Sequence, residues 1–289
     1  MMSSLGRILT RLESLDRRIV FLLLALAVAL PFAVKFELRA QPTARTIQFA
    51  AALDKAIDTG KPLLVSVDFG PQTVAEMEPI LLAVMEQAFA RQTKVVFLTF
   101  LPEAAAQMRG YLTRMEKAHG LRYGEDIVFL GYASAFVIAI SSMGTSLRQT
   151  FHTDDRGTRL DDLPLMKNLS SVHDFGAVVN VASNTLPRIW ITYGVGQFGF
   201  DLLVGCTAVQ ATDYYPFLQS GQLKGLVSGG KSAAEYETLL VERGVLPEAG
   251  DATRALGSQS LALLTILGLI ALGNIAQFLR RRTREKEAL

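Results

Sequence analysis

Two apolar segments bracket the middle of this chain, and each carries its basic flank on the terminal side. The first runs from Ile19 to Val34, directly after Arg17 and Arg18. The second runs from about Ser258 to Leu279, directly before Arg280, Arg281 and Arg282. Long apolar stretches of this kind are read as membrane spans, and basic flanks favour the cytoplasmic side. Both ends are therefore expected in the cytoplasm of a bacterial inner membrane. Whatever folds between them is expected on the opposite face.

That reading divides the chain. An amphipathic cytoplasmic helix is expected over 1–18, a first span over 19–34 and a linker over 35–45. An extracytoplasmic domain follows over 46–247, then a linker over 248–257, a second span over 258–279 and a basic tail over 280–289. Leu5, Ile8, Leu9, Leu12 and Leu15 recur at helical spacing, with Arg7, Arg11 and Arg18 placed to meet lipid phosphates. The first apolar run makes a helix of about 24 Å, short against a hydrocarbon core of about 30 Å. It is read as an uncleaved anchor, with a signal-peptide core as the competing reading. The second span contains Gly268, Gly273 and Asn274. Glycines permit close helix approach and an amide in lipid seeks a partner, so these three are candidate interface residues.

Charge narrows the partners. The chain has a net charge of +2, yet its middle is slightly acidic because basic groups gather at the two ends. No basic stripe interleaves with aromatics, so nucleic acid is not an expected partner. The bilayer and other membrane proteins, or copies of this chain, are. One cysteine, Cys206, excludes an internal disulfide and a CxxC site. His119, His152 and His173 lack the close spacing of a zinc motif, so neither metal nor cofactor is expected.

The middle reads as an α/β domain. Pro62–Asp68, Lys94–Phe100, Asp126–Leu130, Gly176–Val181 and Asp201–Cys206 are apolar runs suited to strands buried on both faces. Helical patterns over Thr46–Asp58, Val74–Arg91, Pro102–His119, Ala135–Phe151, Pro187–Tyr193 and Ser232–Val241 separate or flank them. Such alternation predicts a mainly parallel sheet in a three-layer, Rossmann-like domain. Thr153–Ser171 is a long, charged connection, the kind that carries function or contacts.

Three stretches carry candidate chemistry. Gly225-Leu-Val-Ser-Gly-Gly230-Lys231-Ser232 satisfies the GxxxxGK[ST] pattern of a phosphate-wrapping loop. The polar Ser220–Lys224 in front of it is a poor feeder strand. A capping box of Ser232 with Glu235 accounts for the same residues. Ser141-Ser142-Met143-Gly144 resembles the nucleophile region of Clp-type and signal-peptide-peptidase serine proteases. That resemblance covers about ten residues and implies Ser142 as nucleophile. His152 with Asp154 or Asp155, or else Lys231, would supply the base. The glycine-rich oxyanion strand of those families has no counterpart, since Asp68-Phe-Gly-Pro-Gln72 holds a single glycine. Finally, Asp68, Ser183, Asn184 and Thr207 fall at predicted strand ends, where open parallel sheets bind ligands. Helix capping is the competing role for Ser183 and Asn184.

The cluster Tyr214, Tyr215 and Phe217 suits an interface or a ligand rim. The leading expectation is a structural or binding domain, a subunit of an oligomeric membrane assembly. A tethered serine hydrolase and a phosphate binder are the alternatives.

Overall fold

The computed structural model describes residues 16–34 and 39–287. The described residues divide into a helical unit, 16–34 with 254–287, and an α/β unit over Arg39–Thr253. Most of the expected helix over 1–18, part of the linker over 35–45 and the end of the basic tail lie outside the described residues.

The α/β unit is a six-stranded, all-parallel sheet in the order β3-β2-β1-β4-β5-β6. The strands are β1 Leu63–Asp68, β2 Val95–Thr99, β3 Ile127–Tyr132, β4 Val178–Ala182, β5 Leu202–Cys206 and β6 Gly225–Ser228. Chain order reverses between β1 and β4. The doubly wound topology thus has its switch point there, as in Rossmann-like folds.

Four helices cover one face: α2 Ala44–Ile57, α3 Val74–Phe89, α4 Pro102–His119 and α10 Gly229–Glu242. The other face is covered by α5 Phe136–Met143, α6 Leu147–Thr150, α7 Leu186–Ile189, α8 Gly196–Phe198 and α9 Ala211–Gln219. A π-helix, Trp190–Val195, joins α7 to α8. Strands β1, β2, β4 and β5 are buried along their whole length, which is why their sequences are continuous apolar runs rather than alternating ones.

Several expected elements take a different form. The helix read over Ala135–Phe151 breaks into α5 and α6 at Gly144. A side chain there would collide with the Phe198 ring, so the backbone turns where the two surfaces touch. Gly225–Ser228, read as the start of a loop, is strand β6. It pairs with Leu203–Cys206, and a Cβ on Gly225 would lie 2.8 Å from Phe49 Cα. Ala211–Gln219, read only as an aromatic cluster, is helix α9 despite Pro216. Helix α10 starts at Gly229, earlier than Ser232. Ser232 and Glu235 form no capping box, because Ser228 is the N-cap residue and Glu235 bonds elsewhere.

The charged connection over Thr153–Ser171 is a covering layer. Leu160, Leu163, Leu165, Met166 and Leu169 bury themselves in the core. Asp155 pairs with Arg109, Arg156 with Glu116 and Asp161 with Arg148 at the surface.

The helical unit holds α1 Arg17–Val34 and most of α11 Asp251–Glu287. Among the described residues, one helical stretch is long and apolar enough to cross a membrane, Asp251–Ile275, with mean hydropathy 1.9. Among the described residues α1, expected as the first span, is not such a stretch.

Val20, Leu24, Ala27 and Pro31 recede from solvent at helical spacing on α1. Ser258, Leu261, Thr265 and Leu269 do so on α11. The Ser258 hydroxyl donates to the Val28 carbonyl at 2.9 Å. Both helices carry their less exposed residues around that bond. Ala27 and Ser258 at the seam let the two backbones approach. The outward faces carry Phe21, Leu22, Leu26, Leu264, Leu267 and Ile270, all exposed.

Candidate functional site

The carboxyl ends of β1, β4 and β5 bring the four expected crevice residues together. Ser183 donates its backbone N–H to the Asp68 carbonyl at 3.2 Å, and Asn184 Nδ2 donates to the same oxygen at 3.0 Å. Asn184 Oδ1 accepts from the Leu186 N–H at 2.9 Å, tying down the start of α7. Gln210 Nε2 donates to the Asn184 carbonyl, and the Thr207 hydroxyl donates to Gln210 Oε1. The rim is thus one lattice in which Asn184 both holds the first N–H of α7 and reaches across to the end of β1. These polar groups satisfy one another.

Asp68 does not face that rim. Its carboxylate is fully buried and points into the layer beneath. There it accepts from the Phe100 N–H at 2.7 Å, from Asn180 Nδ2 at 2.8 Å, and from the hydroxyls of Ser66 and Thr99. Burial raises its pKa from 3.8 to about 6, and the four donors only partly offset that loss of solvation. Asn180 Oδ1 and the Trp190 indole N–H are buried without a hydrogen-bond partner. Trp190 opens the π-helix, a distortion frequent at functional sites. Ser66, Thr99, Asn180, Trp190 and Gln210 were not picked out from the sequence. The legible signal was a polar residue inside an otherwise apolar buried run, as in Leu-Val-Ser-Val-Asp and Val-Val-Asn-Val.

The serine hydrolase candidates lie in different parts of the fold. Ser142 lies in the last turn of α5, with its carbonyl accepting from Thr145 and Ser146. Among the described residues no hydrogen bond joins its hydroxyl to His152, which is exposed in the loop after α6. Lys231 sits beyond β6 and Ser142 beyond β3, the two outer strands. Five strand spacings of about 4.8 Å put roughly 24 Å between those edges, so Lys231 cannot serve as base for Ser142.

The GxxxxGKS stretch is strand and helix rather than a wrapping loop. Gly225 is covered by Phe49. Gly230 opens α10 in its first turn, and Ser232 is half-buried in the same turn. Lys231 is exposed and lies 3.7 Å from Glu235 Oε1. Cys206 is buried in β5, where desolvation pushes its thiol up to about 12 and leaves it unreactive. Tyr214 is buried against the core; Tyr215 and Phe217 are half-buried, with Arg45 stacked over the Tyr215 ring. Of the three residues read as an interface or ligand rim, Tyr214 is thus buried while Tyr215 and Phe217 stay partly accessible. On α11, Gly268, Gly273 and Asn274 are exposed, and no atom lies within 4 Å of a Cβ built on either glycine.

Two buried glutamates on α10 form a feature the sequence did not reveal. Glu235 Oε2 accepts from the Thr43 N–H, the Thr43 hydroxyl and the Thr46 hydroxyl, at 3.2, 2.7 and 2.7 Å. Glu237 accepts from the N–H groups of Ala252 and Thr253 and from the Thr253 hydroxyl. The first holds the start of α2, where the chain enters the α/β unit. The second holds the first turn of α11, where the chain leaves it. A carboxylate at a helix start satisfies N–H groups that have no partner within the helix. Burial raises the Glu237 pKa, opposed by the bonds from Thr253 and Ala252.

Among the described residues no group of His, Cys, Asp and Glu is arranged to hold a metal ion. No family model, curated protein or solved structure matches the chain.

Proposed function

We propose that this protein is a membrane-anchored α/β domain with a structural or binding role, built as a subunit of an oligomeric assembly in a bacterial inner membrane. Helices α1 and α11 both cross the bilayer, the termini are cytoplasmic and the α/β unit is extracytoplasmic. The observation that carries this reading is the helical unit. Two helices pair through a seam of small and aliphatic residues while turning Phe, Leu and Ile side chains outward. Lipid is the solvent that such a surface fits. The short α1 is accommodated by local thinning of the bilayer.

The clamps at Glu235 and Glu237 support a mechanical role. They bond the α/β unit to both chain segments that lead towards the helices, so its entry and exit are each fastened. Gly268, Gly273 and Asn274 lie outside the α1 seam, which leaves them open to another subunit. Native mass spectrometry of the full chain, extracted gently from membranes, tests the assembly. A multimer that dissociates on Gly268→Leu is expected; a monomer in every mild detergent refutes the assembly.

A second reading has a specific observation behind it. The orphaned Asn180 Oδ1 and Trp190 indole N–H lie in the layer beneath the switch point. They suit a small polar ligand there, with one donor and one acceptor.

A further inference from the structure

The exposed large apolar side chains of the α/β unit are unevenly placed. Among the described residues they are Ile47, Tyr132, Phe136, Ile138 and Val209. All five stand towards the carboxyl end of the sheet, Ile47 in the first turn of α2. Tyr132 ends β3, Phe136 and Ile138 occupy the first turn of α5, and Val209 lies in the turn after β5. Their exposures are 45%, 42%, 69% and 87%. Ala139, Ile140 and Met143 on the inner side of α5 are buried, so the short helix is apolar on both sides.

The segment carries no charge at all from Ile127 to Leu147, in a chain that is 19% charged overall. It is also strained. Ala135, at the start of α5, has φ +54°, in the left-handed region that a residue with a Cβ enters at a cost of about 1–2 kcal/mol. Strain of this kind persists where the surroundings hold a segment in a required pose.

We infer that this tip, Tyr132 to Ile138, docks into the headgroup boundary of the bilayer in which the protein is anchored. The inference rests on the membrane reading above. Lipid is favoured over a protein partner because the segment offers no charge for pairing and hardly any side-chain hydrogen bonding. Tyrosine suits the headgroup level, and Phe and Ile suit the apolar layer just beneath it. The chain also enters at this end of the sheet: α2 delivers it to the amino end of β1, so Arg39–Thr43 lies towards the carboxyl end. A tethered domain meets the membrane surface at high effective concentration, so a few apolar contacts suffice.

Fluorescence quenching in reconstituted vesicles tests this with the full chain. Single cysteines replace Ile138, Lys61 and Leu267 in separate proteins, each labelled with an environment-sensitive dye. Native Cys206 is buried and stays unlabelled. Vesicles of phosphatidylethanolamine and phosphatidylglycerol carry nitroxide lipid, either shallow or deep. The Ile138→Cys label is expected to lose emission to shallow nitroxide, and more than to deep nitroxide. The Lys61→Cys label, at the opposite end of the sheet, is expected to be unaffected, and the Leu267→Cys label to respond most to deep nitroxide. Quenching at Leu267 without quenching at Ile138 overturns the docking and leaves the anchor standing, even if the Ile138 label is shielded from water. Quenching at Lys61 as strong as at Ile138 also overturns it, because contact is then not confined to the tip. No quenching at Leu267 removes the anchor and the docking together.

Discussion

Asp68 makes the stability of the α/β unit depend on pH in a calculable way. Its carboxyl has a pKa of about 6 in the fold, against 3.8 for the ordinary group. A raised pKa means the folded state holds the proton more tightly than the unfolded chain does. The resulting stabilisation is complete below pH 3.8 and is lost as pH rises through about 6. Its size follows from the two values, at 1.36 kcal/mol per pH unit, as about 3 kcal/mol. Asp68→Asn keeps the shape and abolishes the titration. Trp190 is the single tryptophan of the chain and is fully buried beneath the same strands, so its fluorescence reports unfolding of this layer. Denaturant unfolding of both proteins, followed at Trp190 from about pH 3.5 to about 8, isolates the contribution. The stability of wild type relative to Asp68→Asn is expected to fall by about 3 kcal/mol as pH rises across that range. Glu237 titrates with the same sign, but it is present in both proteins and cancels. A stability difference that stays constant across the range refutes the reasoning.

Other perturbations have equally definite outcomes. Glu237→Ala strips three donors of their acceptor and is expected to cost about 3 kcal/mol in the same unfolding assay, with Glu235→Ala costing a similar amount. Gln92 follows α3 with φ +54°, so Gln92→Gly is expected to raise stability by about 1 kcal/mol, seen as a higher melting temperature. Gly225→Ala drives a methyl into the backbone of Phe49 and is expected to destabilise by about 1–3 kcal/mol. Ser142→Ala is expected to leave labelling by a fluorophosphonate probe unchanged, because among the described residues no hydrogen bond joins that hydroxyl to a base.

The parts of the fold legible in the sequence were those set by local pattern. Strand β1 and its neighbours announce themselves as uninterrupted apolar runs because both faces are covered. Helix α4 was legible from Pro102 at its start to about His119, just before Gly120, whose φ of +65° ends it. Strand β6 was hidden because its four residues fall inside a motif whose regular expression suggests a loop. Helix α9 was obscured by Pro216 and by an aromatic run that invites an interface reading. The break at Gly144 depends on the Phe198 ring, far away in sequence.

The site was legible in the same partial way. Strand ends picked out Asp68, Ser183, Asn184 and Thr207, but could not reveal that the Asp68 carboxylate turns inward while its carbonyl serves the rim. The clamp at Glu235 joins residues 192 positions apart from Thr43, and no local pattern encodes such a pairing. The separation of Lys231 from Ser142 comes from topology: strand order puts the two at opposite edges of the sheet.

The central claim is that the α/β unit lies across the membrane from the cytoplasm, held between two spans. Thiol labelling tests it most directly, because buried Cys206 provides a silent background. Gln219 at the end of α9 is exposed and accepts a single cysteine. A membrane-impermeant maleimide is expected to label Gln219→Cys in right-side-out spheroplasts and to fail in sealed inverted vesicles. Labelling only in inverted vesicles, or release of the chain from membranes by alkaline carbonate, contradicts the account.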